Sequence, residues 1–271
     1  MTRIFDALKK VQAAREPALV ESPAYHPPPV VPVHSPPSPL HVTPPRPVAP
    51  APAPDERPRS RAAAWEGIET VEVRELPDEL VRELTTLRIG IEAAVEDGPV
   101  RAILFMASMG GEGTSTVAAE FAAMLANDHG VRALLVEAHA RRPSLAARFG
   151  VDGVGAPAKG EGAGRLSVMP VSPEVERRGM FAPATLRDLI GAASGTWDWV
   201  IIDGPPVLEA PEATELAILA SGVVVVVEAG STKRHVVTRA VDLLRKAGAR
   251  VLGSVLNRRR LEIPDFIYRR I

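Results

Sequence analysis

Short apolar runs alternate with longer amphipathic stretches from about residue 66 to residue 257. Continuous apolar runs that alternate with helices are typical of a parallel sheet with helices on both faces. We therefore predict an α/β fold. The predicted strands are Ala102–Ala107, Ala133–Val136, Leu166–Met169, Trp199–Ile202, Val223–Val227 and Val251–Leu256, and the predicted helices are Pro77–Val95, Thr114–Asn127, Ala184–Ala193, Pro211–Leu219 and His235–Lys246.

The pattern differs before residue 66. Residues 1–16 place apolar side chains on one face and predict an amphipathic helix that docks on a partner or membrane surface, or else folds back on its own domain. Residues 17–65 hold most of the 27 prolines and lack apolar periodicity. Because proline favours an extended, solvated backbone, we expect a disordered, semi-rigid tether here.

Composition narrows the function classes. The net charge of −1 gives no nucleic-acid signature, so no nucleic-acid partner is expected. The chain has no cysteine, which excludes a disulfide framework and thiol catalysis. No apolar run reaches the roughly 20 residues that a membrane helix needs, and no signal-peptide core is found. These features predict a soluble, cytoplasmic protein.

The segment Ile103–Ala119 has the form of a phosphate-binding loop without its lysine. An apolar strand runs into Gly110, Gly111 and Gly113, and a helix is predicted to start at Thr114. Against the pattern G-x-x-x-x-G-K-[ST], Thr114 stands at the lysine and Ser115 at the metal-binding hydroxyl. Glycine amides and a helix N-terminus still attract anions without side-chain charge. The alternative is an ordinary strand–turn–helix junction.

Polar residues also follow three other predicted strands. Glu137 ends the second strand, Asp203 ends the fourth, and Asn257 ends the last. In an open parallel sheet the carboxyl ends of the strands form the ligand site, and an acid beside a phosphate loop is the usual magnesium partner. Asp203 is therefore the strongest polar candidate, although a turn residue is the alternative.

Four segments carry a family resemblance over about Leu76–Asn257. The chain reads GGEGTST, LLVEAHARRPSL, DWVIIDGPPVL and VLGSVLN, and it resembles the bacterial tyrosine kinases of capsule and exopolysaccharide assembly. Their motifs read like PGEGKST, LLIDADLRRPSL, DYVIIDTPPVL and VLGVVLN. This family is a branch of the P-loop proteins that also contains the MinD/ParA ATPases.

The resemblance implies a site for ATP or ADP with Mg²⁺. It gives Asp203 and Glu137 catalytic roles, with Ser115 and Asp203 at the metal. Asn257 would lie near the adenine. The implied nucleotide-binding residues are Gly110, Gly111, Glu112, Gly113, Thr114, Ser115, Thr116 and Asn257.

The family also implies partners and a location. It implies docking on a membrane-embedded polysaccharide co-polymerase or chain-length determinant protein, at the inner face of the membrane. A homo-oligomer is possible, although Thr85 breaks the family's E-x-x-R-x-x-R assembly pattern, which begins here at Glu79.

Several departures predict a degenerate, kinase-like regulator. Thr114 replaces the loop lysine, Glu137 and His139 replace two aspartates, and Tyr268 is the one tyrosine of the tail. Lys233 or Arg141 are candidates for a substitute cation. The alternatives are an active ATP-dependent autokinase, a MinD/ParA-like positioning ATPase, or a scaffold that binds no nucleotide.

The basic tail, residues 258–271, places arginines on both sides of an apolar segment that includes Phe266 and Ile267. It would bind anionic lipid or an acidic partner, or else pack on the domain.

Overall fold

A computed structural model describes residues 67–128, 130–152 and 165–259. Within these ranges it has seven strands and seven helices. The strands are β1 Glu69–Glu72, β2 Arg101–Ala107, β3 Ala133–Glu137, β4 Arg165–Met169, β5 Trp199–Asp203, β6 Gly222–Glu228 and β7 Val251–Asn257; the helices are α1 Asp78–Ala94, α2 Thr114–Ala126, α3 Leu145–Phe149, α4 Pro173–Arg178, α5 Pro183–Ala193, α6 Ala213–Ala217 and α7 Arg234–Lys246.

The strands form one sheet in the order β1-β4-β3-β5-β2-β6-β7. All neighbouring pairs are parallel except β1 and β4, which are antiparallel. The chain leaves β2 toward β3 on one side and later adds β6 on the other, so the loop after β2 lies where the strand order reverses. Such a position is where open α/β sheets bind ligands.

Alternate residues of each central strand pack on opposite faces of the sheet. Leu104 and Met106 contribute to a buried cluster with α5, α6 and α7. Ile103 and Phe105 contribute to a second buried cluster with α1 and α2. The predicted three-layer α/β arrangement is therefore confirmed, and each face of the sheet is covered by helices.

All six predicted strands and all five predicted helices are present, with ends shifted by a few residues. The sheet is not wholly parallel, because the short edge strand β1 runs antiparallel to β4. The short helices α3 and α4 were also not predicted.

Other predictions fall outside the described residues. These are the docking helix 1–16, the tether 17–65, Tyr268 and nearly all of the tail. In the part of the chain that is described, none of the helices has the length and apolar character needed to cross a bilayer.

Candidate functional site

The loop between β2 and α2 has the backbone of an anion-binding turn. Gly111 and Gly113 adopt φ values of 94° and 91°, in a region that favours glycine. No side chain caps the N-terminus of α2, which begins at Thr114. The Thr116 N–H donates to the Gly113 carbonyl at 3.1 Å. Among the described residues, the N–H groups of Thr114 and Ser115 are those left to a ligand or to solvent.

The loop is held in shape by contacts from distant parts of the chain. The Glu112 side chain is buried, and its two carboxylate oxygens accept hydrogen bonds from the Ser108 amide at 2.9 Å and the Thr232 hydroxyl at 2.5 Å. The Asn257 side-chain amide donates to the Glu112 carbonyl at 2.9 Å. A side chain at Gly113 would collide with Asn257, so this position requires glycine for two reasons.

A cavity of about 310 Å³ lies over the loop, at the carboxyl ends of the strands. Its lining residues include the three loop glycines and Thr114, Ser115 and Thr116. A larger groove of about 780 Å³ lies between residues 207–214 and α7, but it contains none of the loop residues. The smaller cavity is therefore the candidate site.

Glu137 is buried and its carboxylate is fully engaged by backbone amides. One oxygen accepts from the Ser144 amide and, at 2.9 Å, from the Leu145 amide, and the other accepts from Val171 at 3.1 Å. These bonds fix the turn after β3 to the start of α3 and to the segment after β4. The carboxylate thus holds in place Ser144, a residue that lines the cavity.

Asp203 is also buried, but neither of its carboxylate oxygens has a hydrogen-bond partner among the described residues. Burial raises the pKa of Asp203 to about 7, and the Glu137 charge acts in the same direction. The Ser115 hydroxyl lies close to the carboxylate without meeting hydrogen-bond geometry, and this hydroxyl and the charge of Arg148 oppose the rise in pKa. A cation beside Asp203 would favour its charged form.

Charged side chains surround the mouth of the cavity. The Gly110 amide donates to a carboxylate oxygen of Glu209 at 2.8 Å, so one loop N–H already holds an anion. Burial and the neighbouring Arg142 lower the pKa of His139, which keeps its imidazole neutral at pH 7.

Most of the predicted site residues do come together. Gly110, Gly111, Gly113 and the three hydroxyl residues line the cavity. The Glu112 side chain points away from it and braces the loop, and the Asn257 side chain holds the Glu112 carbonyl.

Sequence reasoning missed Glu209, Thr232 and Arg148, and it placed Arg258 in the tail. The Arg258 guanidinium donates to the Gly111 carbonyl at 3.1 Å. No local pattern identifies these contacts, because they join residues about a hundred or more positions apart or, for Arg148, lie on a helix too short to predict.

Comparison with known proteins identifies the family of this chain. A model of the ParA family, described as NUBPL iron-transfer P-loop NTPase, matches residues 99–267, which is more than half of the chain. The chain belongs to the ParA family of P-loop NTPases. Iron–sulfur clusters are held mainly by cysteine thiolates, and the sequence contains no cysteine.

Relatives in sequence include tyrosine-protein kinases. The chain is 27% identical to the tyrosine-protein kinase YwqD of Bacillus subtilis (strain 168) over 192 residues, covering 65% of this chain and 80% of YwqD. It is 30% identical over 175 residues to the succinoglycan biosynthesis transport protein ExoP of Rhizobium meliloti (strain 1021), covering 58% of this chain and 22% of ExoP. The predicted resemblance to bacterial tyrosine kinases is confirmed.

A solved structure agrees on the fold. The kinase domain of the Escherichia coli tyrosine kinase ETK matches with a TM-score of 0.55 and 21% identity, covering 68% of this chain and 79% of that domain. At this identity the match shows that the fold of the two proteins is the same.

Proposed function

We propose that this chain is a cytoplasmic, nucleotide-binding regulator of exopolysaccharide or capsule biosynthesis and export, with weak or no tyrosine kinase activity. The observation that carries the proposal is the segment 108–114, which comprises the loop and the first residue of α2. It keeps two positive-φ glycines and an uncapped helix start, yet has Thr114 where the family has lysine. Backbone amides bind phosphate without a side-chain charge, so binding survives where transfer fails.

The site suits magnesium as well as phosphate. Ser115 and Asp203 would hold Mg²⁺, directly or through water, and the ion would neutralise charge on the phosphates. The fit rests on the two unpartnered, buried oxygens of Asp203 and on the Ser115 hydroxyl beside them. The described residues contain no group of three or more histidine or acidic side chains that could hold a metal. Affinity for Mg²⁺ therefore depends on the nucleotide.

The missing ammonium group supports weak transfer. The loop lysine normally contacts the β- and γ-phosphates during phosphoryl transfer. Losing one preorganised donor of this kind typically costs about 3–4 kcal/mol, or roughly 100- to 1000-fold in rate. Glu137, which the family resemblance makes catalytic, has both carboxylate oxygens engaged by backbone amides. We assign it a positioning role.

The relatives support a proposal for the partner and the location. ExoP is named as a biosynthesis transport protein for succinoglycan, and this chain matches only 22% of it. We propose that a separate membrane-embedded polysaccharide co-polymerase supplies the membrane part and recruits this chain to the inner face of the membrane. The chain would bind it as a nucleotide-dependent partner, alone or as a homo-oligomer.

Two assays on the full chain test the proposal. Calorimetry with ATP–Mg²⁺ should give saturable binding in the micromolar range, weakened by Asp203→Asn. Incubation with labelled ATP and Mg²⁺ should give little phosphotyrosine. Strong phosphotyrosine that Asp203→Asn abolishes would establish the active autokinase instead. No binding at millimolar ATP would establish the nucleotide-free scaffold.

The positioning ATPase has less support. That group carries a signature lysine in its loop, and this chain has Met109 at the position. Steady ATP turnover in the same incubation, without phosphotyrosine, would nevertheless favour it.

A further inference from the structure

We propose that three arginines, Arg142, Arg148 and Arg258, together replace the missing loop lysine and bind the nucleotide phosphates. The inference rests on the proposed nucleotide site and extends it by naming its cationic half. Apart from His139, these are the cationic side chains that line the cavity within the described residues. They come from three elements: the segment after β3, helix α3 and the end of β7.

Arg258 reaches over the loop from the end of β7. One guanidinium nitrogen donates to the Gly111 carbonyl at 3.1 Å and to a Glu228 carboxylate oxygen at 3.0 Å. Its backbone has φ of 57°, the one positive value at a non-glycine residue in the described ranges. This conformation is unfavourable for residues other than glycine, so the surrounding contacts must hold Arg258 in it. The other guanidinium nitrogens remain for a ligand.

Arg148 approaches from the opposite side, beside the start of α2. One guanidinium nitrogen donates to the Thr116 hydroxyl at 3.4 Å, and another lies 3.7 Å from Glu120. Arg148 therefore lies beside the hydroxyl-bearing first turn of α2, where phosphate oxygens would bind.

Arg142 lies at the cavity mouth, near Gly110. One of its guanidinium nitrogens would be 3.5 Å from a Cβ atom placed on Gly110, and a Glu209 oxygen would be 3.1 Å from that atom. The Gly110 amide and the Arg142 guanidinium thus lie close together, and the Glu209 carboxylate already lies beside them. A phosphate oxygen would take the same contacts, because guanidinium groups bind phosphate with paired hydrogen bonds.

The two substitutes considered from the sequence are less well placed. Arg141 donates to the Gly179 carbonyl at 3.3 Å and the Glu209 carbonyl at 3.4 Å, away from the cavity lining. Lys233 is exposed at the start of α7 and does not line the cavity.

The test measures ATP–Mg²⁺ and pyrophosphate–Mg²⁺ affinity of the full chain by calorimetry. Arg142→Gln, Arg148→Gln and Arg258→Gln should each weaken binding of both ligands by about 3- to 30-fold, and the triple variant by more than about 100-fold. Equal loss with pyrophosphate would place the arginines at the phosphates. Arg259→Gln and Lys233→Gln, which change cations outside the cavity, should stay within about twofold of wild type.

A rescue variant keeps the test independent of folding defects. Thr114→Lys in the triple variant should restore at least about tenfold of the lost affinity, since one ammonium then supplies the missing charge. Binding by wild type that the three substitutions leave unchanged would overturn this inference alone. A stronger loss from Lys233→Gln would also overturn it. Failure of wild type to bind either ligand would overturn the nucleotide site and, with it, the arginine assignment.

Discussion

Glu137 and Asp203 end neighbouring parallel strands and lie opposite each other in register. Both are fully buried, yet their surroundings differ. Glu137 accepts three backbone hydrogen bonds, whereas Asp203 accepts none among the described residues. One carboxylate is satisfied by the fold, and the other is left with a pKa of about 7.

The difference in hydrogen bonding indicates that the two carboxylates have different roles. A buried carboxylate that binds several amides stabilises the structure around it. A buried carboxylate without partners costs stability unless a cation or a proton neutralises it. Glu137 therefore holds the loop after β3 in place, and Asp203 is the carboxylate whose buried charge Mg²⁺ would neutralise. Substitution at the two positions should have opposite effects on stability.

The largest expected effect is at Glu137. Glu137→Leu removes the acceptor for three backbone amides and should lower the free energy of unfolding by about 3–5 kcal/mol. Urea denaturation of the full chain measures it. Glu137→Gln keeps part of the acceptor and should cost less. A Glu137→Leu protein as stable as wild type would show that these amides find other partners, and the contrast with Asp203 would be lost.

Asp203→Asn should act in the opposite direction. The pKa of Asp203 is raised from 3.8 to about 7 in the folded state, so the folded chain binds the extra proton between these values. Stability therefore falls as the pH rises from about 4 to about 7. Asparagine cannot ionise, and at pH 8 the variant should be more stable by about 1–3 kcal/mol.

Thermal unfolding at pH 5 and pH 8 checks this prediction. The exposed Asp188 on α5 provides the control, because Asp188→Asn should leave the pH dependence unchanged. Equal pH profiles for wild type and Asp203→Asn would contradict a neutral, buried Asp203.

The same carboxylate should couple nucleotide binding to protons. A cation beside Asp203 favours its charged form, so ATP–Mg²⁺ binding at pH 6 should release a proton from this carboxyl group. The affinity for ATP–Mg²⁺ should therefore rise with pH, by up to about tenfold per pH unit. Calorimetry in two buffers of different ionisation enthalpy counts the released protons. The phosphates of ATP also release protons on binding. The quantity to compare is therefore the number of protons released by wild type minus the number released by Asp203→Asn. No difference would remove Asp203 from the metal site.

The smallest expected effect concerns Glu209. Its carboxylate occupies the Gly110 amide and competes with a phosphate oxygen for the same N–H. Glu209→Gln should raise ATP affinity by about two- to fivefold, because a neutral amide is a weaker competitor. Glu215→Gln, on the exposed face of α6, is the matched control. Unchanged or weaker binding in Glu209→Gln would show that the carboxylate does not compete.

The central strands were predictable because continuous apolar runs identify fully buried strands such as Gly222–Glu228. The edge strand Glu69–Glu72 was not, since three half-buried residues and one exposed residue, two of them glutamates, carry little periodic signal. The five-residue helix Leu145–Phe149 is too short to show a helical period. Edge and connecting elements depend on tertiary contacts more than on local pattern.

The candidate site also contains residues that the sequence predicts and residues that it does not. The glycine loop and Asp203 stood out because each comes at the end of an apolar strand. In the structure the loop glycines line the cavity, and Asp203 is buried next to Gly204, which also lines it. Their functional roles stay predictions. Glu209, Thr232 and Arg258 reach the loop from 99, 120 and 147 residues away. Only the fold brings these side chains to the loop, so spacing along the chain does not reveal them.

Hydrogen exchange at the loop tests the central claim most directly, namely that backbone amides hold a polyphosphate without the lysine. Exchange measured by mass spectrometry on peptides covering residues 108–117, with and without ATP–Mg²⁺, reports on those amides themselves. We predict slower exchange in this segment when the nucleotide is bound, with Asp203→Asn showing a smaller change. Identical exchange with and without millimolar ATP–Mg²⁺ would contradict the claim.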